Sequence, residues 1–199
     1  MGNRQILENN ELMESCLEKR VVHQGRFLTI RDDIVELPGG YHAKREFVEH
    51  RGSAMIVPVC DDGNVVVENV FRYPIGQVCL EFPAGMVDHG EDSLTCARRE
   101  LMEETGFIAS EWAFLGRFYN AAPYSSEFID LWLARKLNYQ QHANDVFEPL
   151  QVLKCNFQQL LSDATNGLVL DMRTAMATML AAKALSGSRQ IEWIDTSRS

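Results

Sequence analysis

No run of this chain is apolar for long enough to span a membrane. The opening residues, MGNRQILENNELMESCLEKR, lack the apolar centre of a secretory leader, and MGNRQI lacks the Ser or Thr at the sixth position that myristoylation wants. Cysteine is sparse. Cys16, Cys60, Cys79, Cys96 and Cys155 are odd in number, scattered, and contain no C-x-x-C pair, which argues against a zinc site or a disulfide framework and for reduced thiols. The five histidines include no pair at metal-binding spacing and read as structural or exposed. Positive charge is short as well: 19 Lys and Arg stand against 28 Asp and Glu, a formal net charge of −9. That balance argues against a nucleic-acid partner but leaves room for a phosphorylated small molecule bridged by cations. Internal repeats and low-complexity linkers are also lacking. Together these absences lead us to expect a cytoplasmic protein with no membrane and no nucleic-acid partner.

What is present is an ordinary globular balance over 199 residues, 46% hydrophobic and 24% charged, enough for one domain with a small appendage. RFLTIRDDIVELPGGYHAKREFVEH predicts a hairpin, Phe27–Leu37 and Ala43–Glu49, turning at Gly39 and Gly40, after a short strand at Leu17–His23. Two apolar runs flank Asp61, Asp62, Gly63 and Asn64, which predicts a second hairpin. QVCLEFPAG reads as a strand ending at Pro83. A helix is expected over Asp92–Thr105, stopped by Gly106. WAFLGRFYNA and FIDLWLARKL read as a strand pair around a loop at Ala121–Ser126. LQVLKCNFQQLLSDA starts as a strand and continues as a helix, and DMRTAMATMLAAKALSG is a helix whose methionines are expected in the core. The tail after Ser188 carries no clear signal. The expected class is α/β (α+β), with residues 1–52 as an N-terminal group of strands and 53–199 as the main domain.

The helix in GMVDHGEDSLTCARRELMEETGF poses a problem of charge. Glu100, Glu103 and Glu104 stand at i, i+3 and i+4, so they share one face and repel. Leu94, Cys96, Ala97 and Leu101 form the apolar stripe that packs on a sheet. Either solvent screens the carboxylates or positive charge sits among them. A convergent carboxylate face suits a hard cation such as Mg2+.

The spacing carries more information than the composition. The stretch fits G-x5-E-x7-R-E-U-x-E-E-x-G-U, where U is a bulky apolar residue, at Gly85, Glu91, Arg99, Glu100, Leu101, Glu103, Glu104, Gly106 and Phe107. It resembles the signature of the Nudix hydrolases. The resemblance implies a β/α/β sandwich with an extra N-terminal β-strand subdomain, and Mg2+- or Mn2+-dependent hydrolysis of nucleoside diphosphates linked to another group. It implies metal ligands at Glu100, Glu103, Glu104 and the Ala84 carbonyl, with Glu103 also a candidate base and Arg99 orienting a glutamate.

FRYPIGQVCLEFPAGMVDHGED and GRFLTIRDDIVELPGGYHAKREFVEH are similar to segments of the ADP-ribose pyrophosphatases and related nucleotide-sugar hydrolases, so the likeness covers most of residues 17–186. It implies substrate contacts from Arg45, Arg72, Glu81 and the loop at Pro123, with Glu127 as a metal ligand or base. It also implies a homodimer, for which MIVPV and VVVENV offer apolar surface that ordinary sheet burial explains equally well. The chain departs from that pattern at Ala122-Pro123-Tyr124, where Ser-Pro-Gly is usual, and in a proline-to-glutamate spacing one residue short. Tyr124 stands near a tyrosine of diadenosine-polyphosphate hydrolases. The expected activity is cleavage of ADP-ribose to AMP and ribose 5-phosphate. GDP-mannose or a diadenosine polyphosphate is the alternative substrate, and a nucleotide-binding sensor the alternative of another class.

Overall fold

The computed structural model describes residues 10–140 and 149–197. The start of the expected N-terminal segment, the leader reading on residues 1–9 and His142 lie outside the described residues. Among the described residues no helix is long and apolar enough to cross a membrane. Two compact units emerge, one made of the described residues up to His50 with Ala121–Glu127, the other of Arg51–Asn120 with the described residues from Phe128 onward.

The first unit is an antiparallel sheet around β3 (Thr29–Glu36). β4 (His42–Glu49) pairs along the whole of one edge of β3, as the hairpin reading predicts. β1 (Ser15–Glu18) and β2 (Val21–Gln24) pair with the two ends of β3. The single strand expected at Leu17–His23 is therefore two, broken at Lys19 and Arg20. The Arg20 backbone N–H donates to Asp33 instead of continuing a ladder. The centre of this sheet is charged: Arg31, Asp32 and Asp33 are buried, and Arg31 binds Asp33 at 2.8 Å and Glu49 at 2.7 Å. Tyr124 and Ser126 hydrogen bond the backbone of Val48, so Ala121–Glu127 lies along β4.

The second unit holds a five-stranded sheet ordered β12-β9-β10-β5-β8 and a three-stranded sheet ordered β11-β6-β7. Their ranges are β5 Ser53–Pro58, β6 Asn64–Arg72, β7 Gln77–Glu81, β8 Ala84–Met86, β9 Phe107–Tyr119, β10 Phe128–Tyr139, β11 Leu150–Asn156 and β12 Ile194–Asp195. The helices are α1 (Ser93–Thr105), α2 (Phe157–Thr165) and α3 (Met172–Leu185).

The second predicted hairpin is closed by one antiparallel bridge, Val59 to Val65, and does not continue as a strand pair. The turn exists, with Cys60 N–H bonded to the Asn64 carbonyl, but β5 joins β10 and β8 while β6 joins β11 and β7. The reason lies in the apolar runs themselves. Ala54–Val57 and Val65–Val67 are wholly buried, so each strand needs neighbours on both edges and cover on both faces. Period-two alternation then divides the β5 side chains. Met55 and Val57 face one core with Val65, Val67 and the alanines of α3, while Ala54 and Ile56 face another with Cys96, Ala97 and Leu101 of α1. This burial also accounts for MIVPV and VVVENV within one chain.

Three further readings are corrected. The strand after Pro83 resumes as β8, paired to β5. The tail forms β12 on the free edge of β9, opposite Trp112 and Glu111. On α3 the core positions belong to Thr174, Ala177, Thr178, Ala181 and Ala184, while Met172 and Met179 are exposed. Small residues let the helix approach the sheets closely, and the longer methionines lie outside the contact.

Candidate active site

α1 begins and ends as its sequence prescribes. Asp92 caps it by accepting from the Leu94 and Thr95 amides at 3.0 and 3.1 Å, and Gly106 closes it in a left-handed conformation at φ 73°. Ser93 accepts from the Trp132 indole at 2.7 Å, tying the start of α1 to β10. Cys96, Ala97 and Leu101 are buried against the sheet, with Leu94 packed beside them. Glu100 and Glu104 stand beside this stripe and face strand β8, while Glu103 is turned toward solvent.

Arg99 is the positive charge among them. Its guanidinium binds both Glu91 oxygens at 3.0 Å, Glu100 at 2.6 Å and Glu103 at 3.1 Å, and donates to the Met86 carbonyl at 3.2 Å. The bonds to Arg99 hold the Glu91 carboxyl below the usual carboxylate range. For Glu100 burial dominates and pushes its carboxyl above that range, despite the pull of Arg99. Glu104 accepts from the Ala84 amide at 3.0 Å. Strand β8 contributes space as well. A Cβ on residue 85 would lie 1.9 Å from the Glu100 carboxylate, so Gly85 is required for room, not for an unusual backbone angle.

The donors available here are carboxylate and carbonyl oxygens, which suit a hard divalent cation. The Gly85 notch that seats the Glu100 carboxylate fits that use. Among the described residues, however, no three carboxylate, thiol or imidazole side chains already converge on one point. Glu100 and Glu103 lean on Arg99, and Glu104 on the Ala84 amide. The nearby thiol of Cys96 plays no part, since burial pushes it up to about 12.

A second charged group sits at the end of β7. Glu81 is buried and directly opposite Glu68, also buried, on β6. Arg72 grips Glu81 with a two-pronged fork, Nε and Nη2 each at 2.7 Å, and keeps 46% of its side chain exposed. Arg173 from the first turn of α3 also donates to Glu81. Sequence reading missed Arg173. Its neighbour Asp171 is a legible helix cap, but the partner Glu81 is 92 residues away, and no local pattern links them.

The remaining candidates belong to the first unit. Arg45 is forked to Glu14, Pro123 is exposed, and the Glu127 amide donates to the Ser125 hydroxyl at 3.1 Å. Tyr124 is 63% exposed. A cavity of 670 Å³ in the second unit is lined by Arg98, Arg99, Lys136, Asn138 and Ser110 among others, but by none of Glu100, Glu103 and Glu104.

Residues 49–168 match the NUDIX domain, and residues 14–48 match the nucleoside diphosphate sugar hydrolase N-terminal domain. An ADP-ribose pyrophosphatase of Bacillus subtilis (strain 168) is 30% identical over 168 residues, covering 83% of this chain and 91% of the relative. A protein of Bacillus methanolicus named methanol dehydrogenase activator is 28% identical over 166 residues, covering 82% and 90%. The crystal structure of an ADP compounds hydrolase superposes with a TM-score of 0.76 at 24% identity, covering 88% of this chain and 95% of that one, a likeness of fold.

Proposed function

The chain belongs to the Nudix hydrolase family, and from that membership we propose that it cleaves the pyrophosphate of ADP-ribose, or of a similar nucleoside diphosphate sugar, with Mg2+. The carboxylate face of α1 gathered around Arg99 carries the chemistry of this reading. The match at residues 14–48 and the Bacillus subtilis relative support the substrate class. Water and ADP-ribose give AMP and ribose 5-phosphate, with one P–O bond broken and one formed.

Glu100, Glu103, Glu104 and the Ala84 carbonyl would hold the cation, here taken as Mg2+ with Mn2+ as substitute. Bound there, it would neutralise phosphate charge and acidify a water. The chain's own residues do the rest. Arg99 keeps Glu91, Glu100 and Glu103 from driving one another apart. Glu104 holds the Ala84 amide and so fixes the backbone at the start of β8. Glu103, half exposed at 52%, has the access a proton acceptor needs. Arg72 presents a planar guanidinium suited to phosphate oxygens. Roles for Glu127 as base or ligand, and for Arg45 and Pro123 at the substrate, rest on sequence resemblance and belong to the same proposal. So do the homodimer, the cytoplasmic location and the use of residues 1–52 as a dimerisation and substrate subdomain.

The test is a panel of ADP-ribose, GDP-mannose, ADP-glucose, diadenosine polyphosphates and NADH with Mg2+ or Mn2+, the products resolved by chromatography. Preferred release of AMP from ADP-ribose is expected. Turnover of another substrate alone keeps the family chemistry and moves the specificity. No turnover with either metal, with tight binding of one nucleotide, overturns the enzyme reading in favour of a sensor.

A further inference from the structure

Arg173 completes a chain of alternating charge that ends on Arg72. Asp171 caps α3, accepting from the Thr174 amide at 2.9 Å and hydroxyl at 2.7 Å, and also binds Arg173 Nε at 2.8 Å. Arg173 Nη2 donates to Glu81 Oε2. The same Glu81 carboxylate receives the fork of Arg72. Thr174 meanwhile accepts from the Phe82 amide at 3.2 Å, so the first turn of α3 grips both the side chain and the backbone at the end of β7.

The two arginines differ in what they can do. Arg173 has 22% of its side chain exposed and is tied at two atoms, whereas Arg72 is 46% exposed. Glu81, 3% exposed, faces buried Glu68 across the strand pair. Carboxylates placed directly opposite repel. One half-exposed arginine would leave Glu81 free to turn away from Glu68, and Arg72 would turn with it. A second arginine, fixed by a helix cap, holds the carboxylate in one orientation.

We propose that Arg173 is a positioning residue for substrate binding: it fixes Glu81, and Glu81 in turn sets the direction in which Arg72 presents its guanidinium to a substrate phosphate. The proposal rests on the reading of Arg72 as a phosphate contact, so its test has one arm that does not need catalysis.

That arm is the arginine Nε–Hε spectrum of 15N-labelled protein, assigned with Arg72→Lys and Arg173→Lys. In the native protein the Arg72 proton, held by Glu81 at 2.7 Å, is expected to exchange slowly. In Arg173→Gln its exchange is expected to rise about tenfold, the loss of one charge-assisted bond. An Arg72 signal unchanged in that variant overturns the proposal. In the kinetic arm, Arg173→Gln is expected to raise KM for the nucleotide sugar about tenfold with little change in kcat. The same substitution is expected to add nothing when Arg72 is already alanine. An equal rise in both backgrounds overturns the proposal, because Arg173 would then act without Arg72. Should Arg173→Gln not fold, Arg173→Lys keeps the charge but loses the planar guanidinium that bridges Asp171 and Glu81; it is expected to raise KM about threefold, again only in the presence of Arg72. If the native protein turns over no nucleotide sugar, the functional reading falls and the substrate role of Arg173 with it, while the spectrum still tests whether Arg173 orders Arg72.

Discussion

At the scale of single residues, Arg99 and Gly85 explain how Glu100 and Glu103 share one helical face, while Glu104 turns to the Ala84 amide. Arg99 supplies the cation and Gly85 the room. Gly85→Ala places a methyl group where the Glu100 carboxylate lies. That carboxylate is the end of a side chain and can swing, so the fold is expected to survive. Its displacement is expected to cut kcat/KM about a hundredfold while the Tm changes little, since small misplacements of reacting groups cost about that much. Parallel kinetics and thermal unfolding check it, and unchanged kinetics would remove Glu100 from the site. Glu104→Gln is a cleaner probe. The amide oxygen of glutamine can still accept from the Ala84 N–H, so stability is expected to hold while turnover falls by about a hundredfold or more. Retained turnover would mean that the Glu104 charge is not used. Both positions were legible from spacing alone. The partner of Glu104 was not, because the Ala84 amide lies 20 residues back and meets it only when β8 docks on β5.

At the scale of elements, caps and periodicity make α1 and the β3–β4 hairpin readable from the order of residues alone. The charged centre of the first sheet is not, since the alternation in TIRDDIVE gives no sign that Arg31, Asp32 and Asp33 are buried. A pH dependence follows from it. The Arg20 amide, and then Arg31, hold the Asp33 carboxyl below its usual range. A carboxyl lowered on folding contributes stability above its unfolded pKa, about 4, and loses it as the pH falls through the lower folded value. The urea midpoint of the first unit is therefore expected to be steady near neutrality and to drop in acid below about pH 4. Asp33→Asn is expected to be weaker at neutral pH and to drop less over the same acid range. Parallel curves for the two proteins would show that other carboxyls control the acid loss.

At the scale of the whole molecule, the outer strands of the first unit are unusual. All residues of β1 and β2 are exposed, including Leu17, Val21 and Val22, and Phe27 beyond them is 72% exposed. Edge strands with apolar side chains invite pairing with another chain. The proposed dimer gives them a partner, with MIVPV and VVVENV already used inside the fold. Sedimentation velocity is expected to give the mass of two chains for the native protein and of one for Val22→Asp with Phe27→Asp. A native protein that sediments as a monomer would leave this surface for another partner.

The order of residues is enough for the family, the two ends of α1, the close of α3 and the spacing of the carboxylates. Each depends on residues a few positions apart, where capping geometry and helical period act. Tertiary structure alone decided which strands became neighbours and which charges met. β5 and β6 part at their turn because each needs cover on two faces; β10 pairs one edge of β5 in parallel register, while residues of α1 and of α3 share the cores on its two faces. Arg173 reaches Glu81 because packing brings the start of α3 to the end of β7, and burial then requires the carboxylate to be matched by charge.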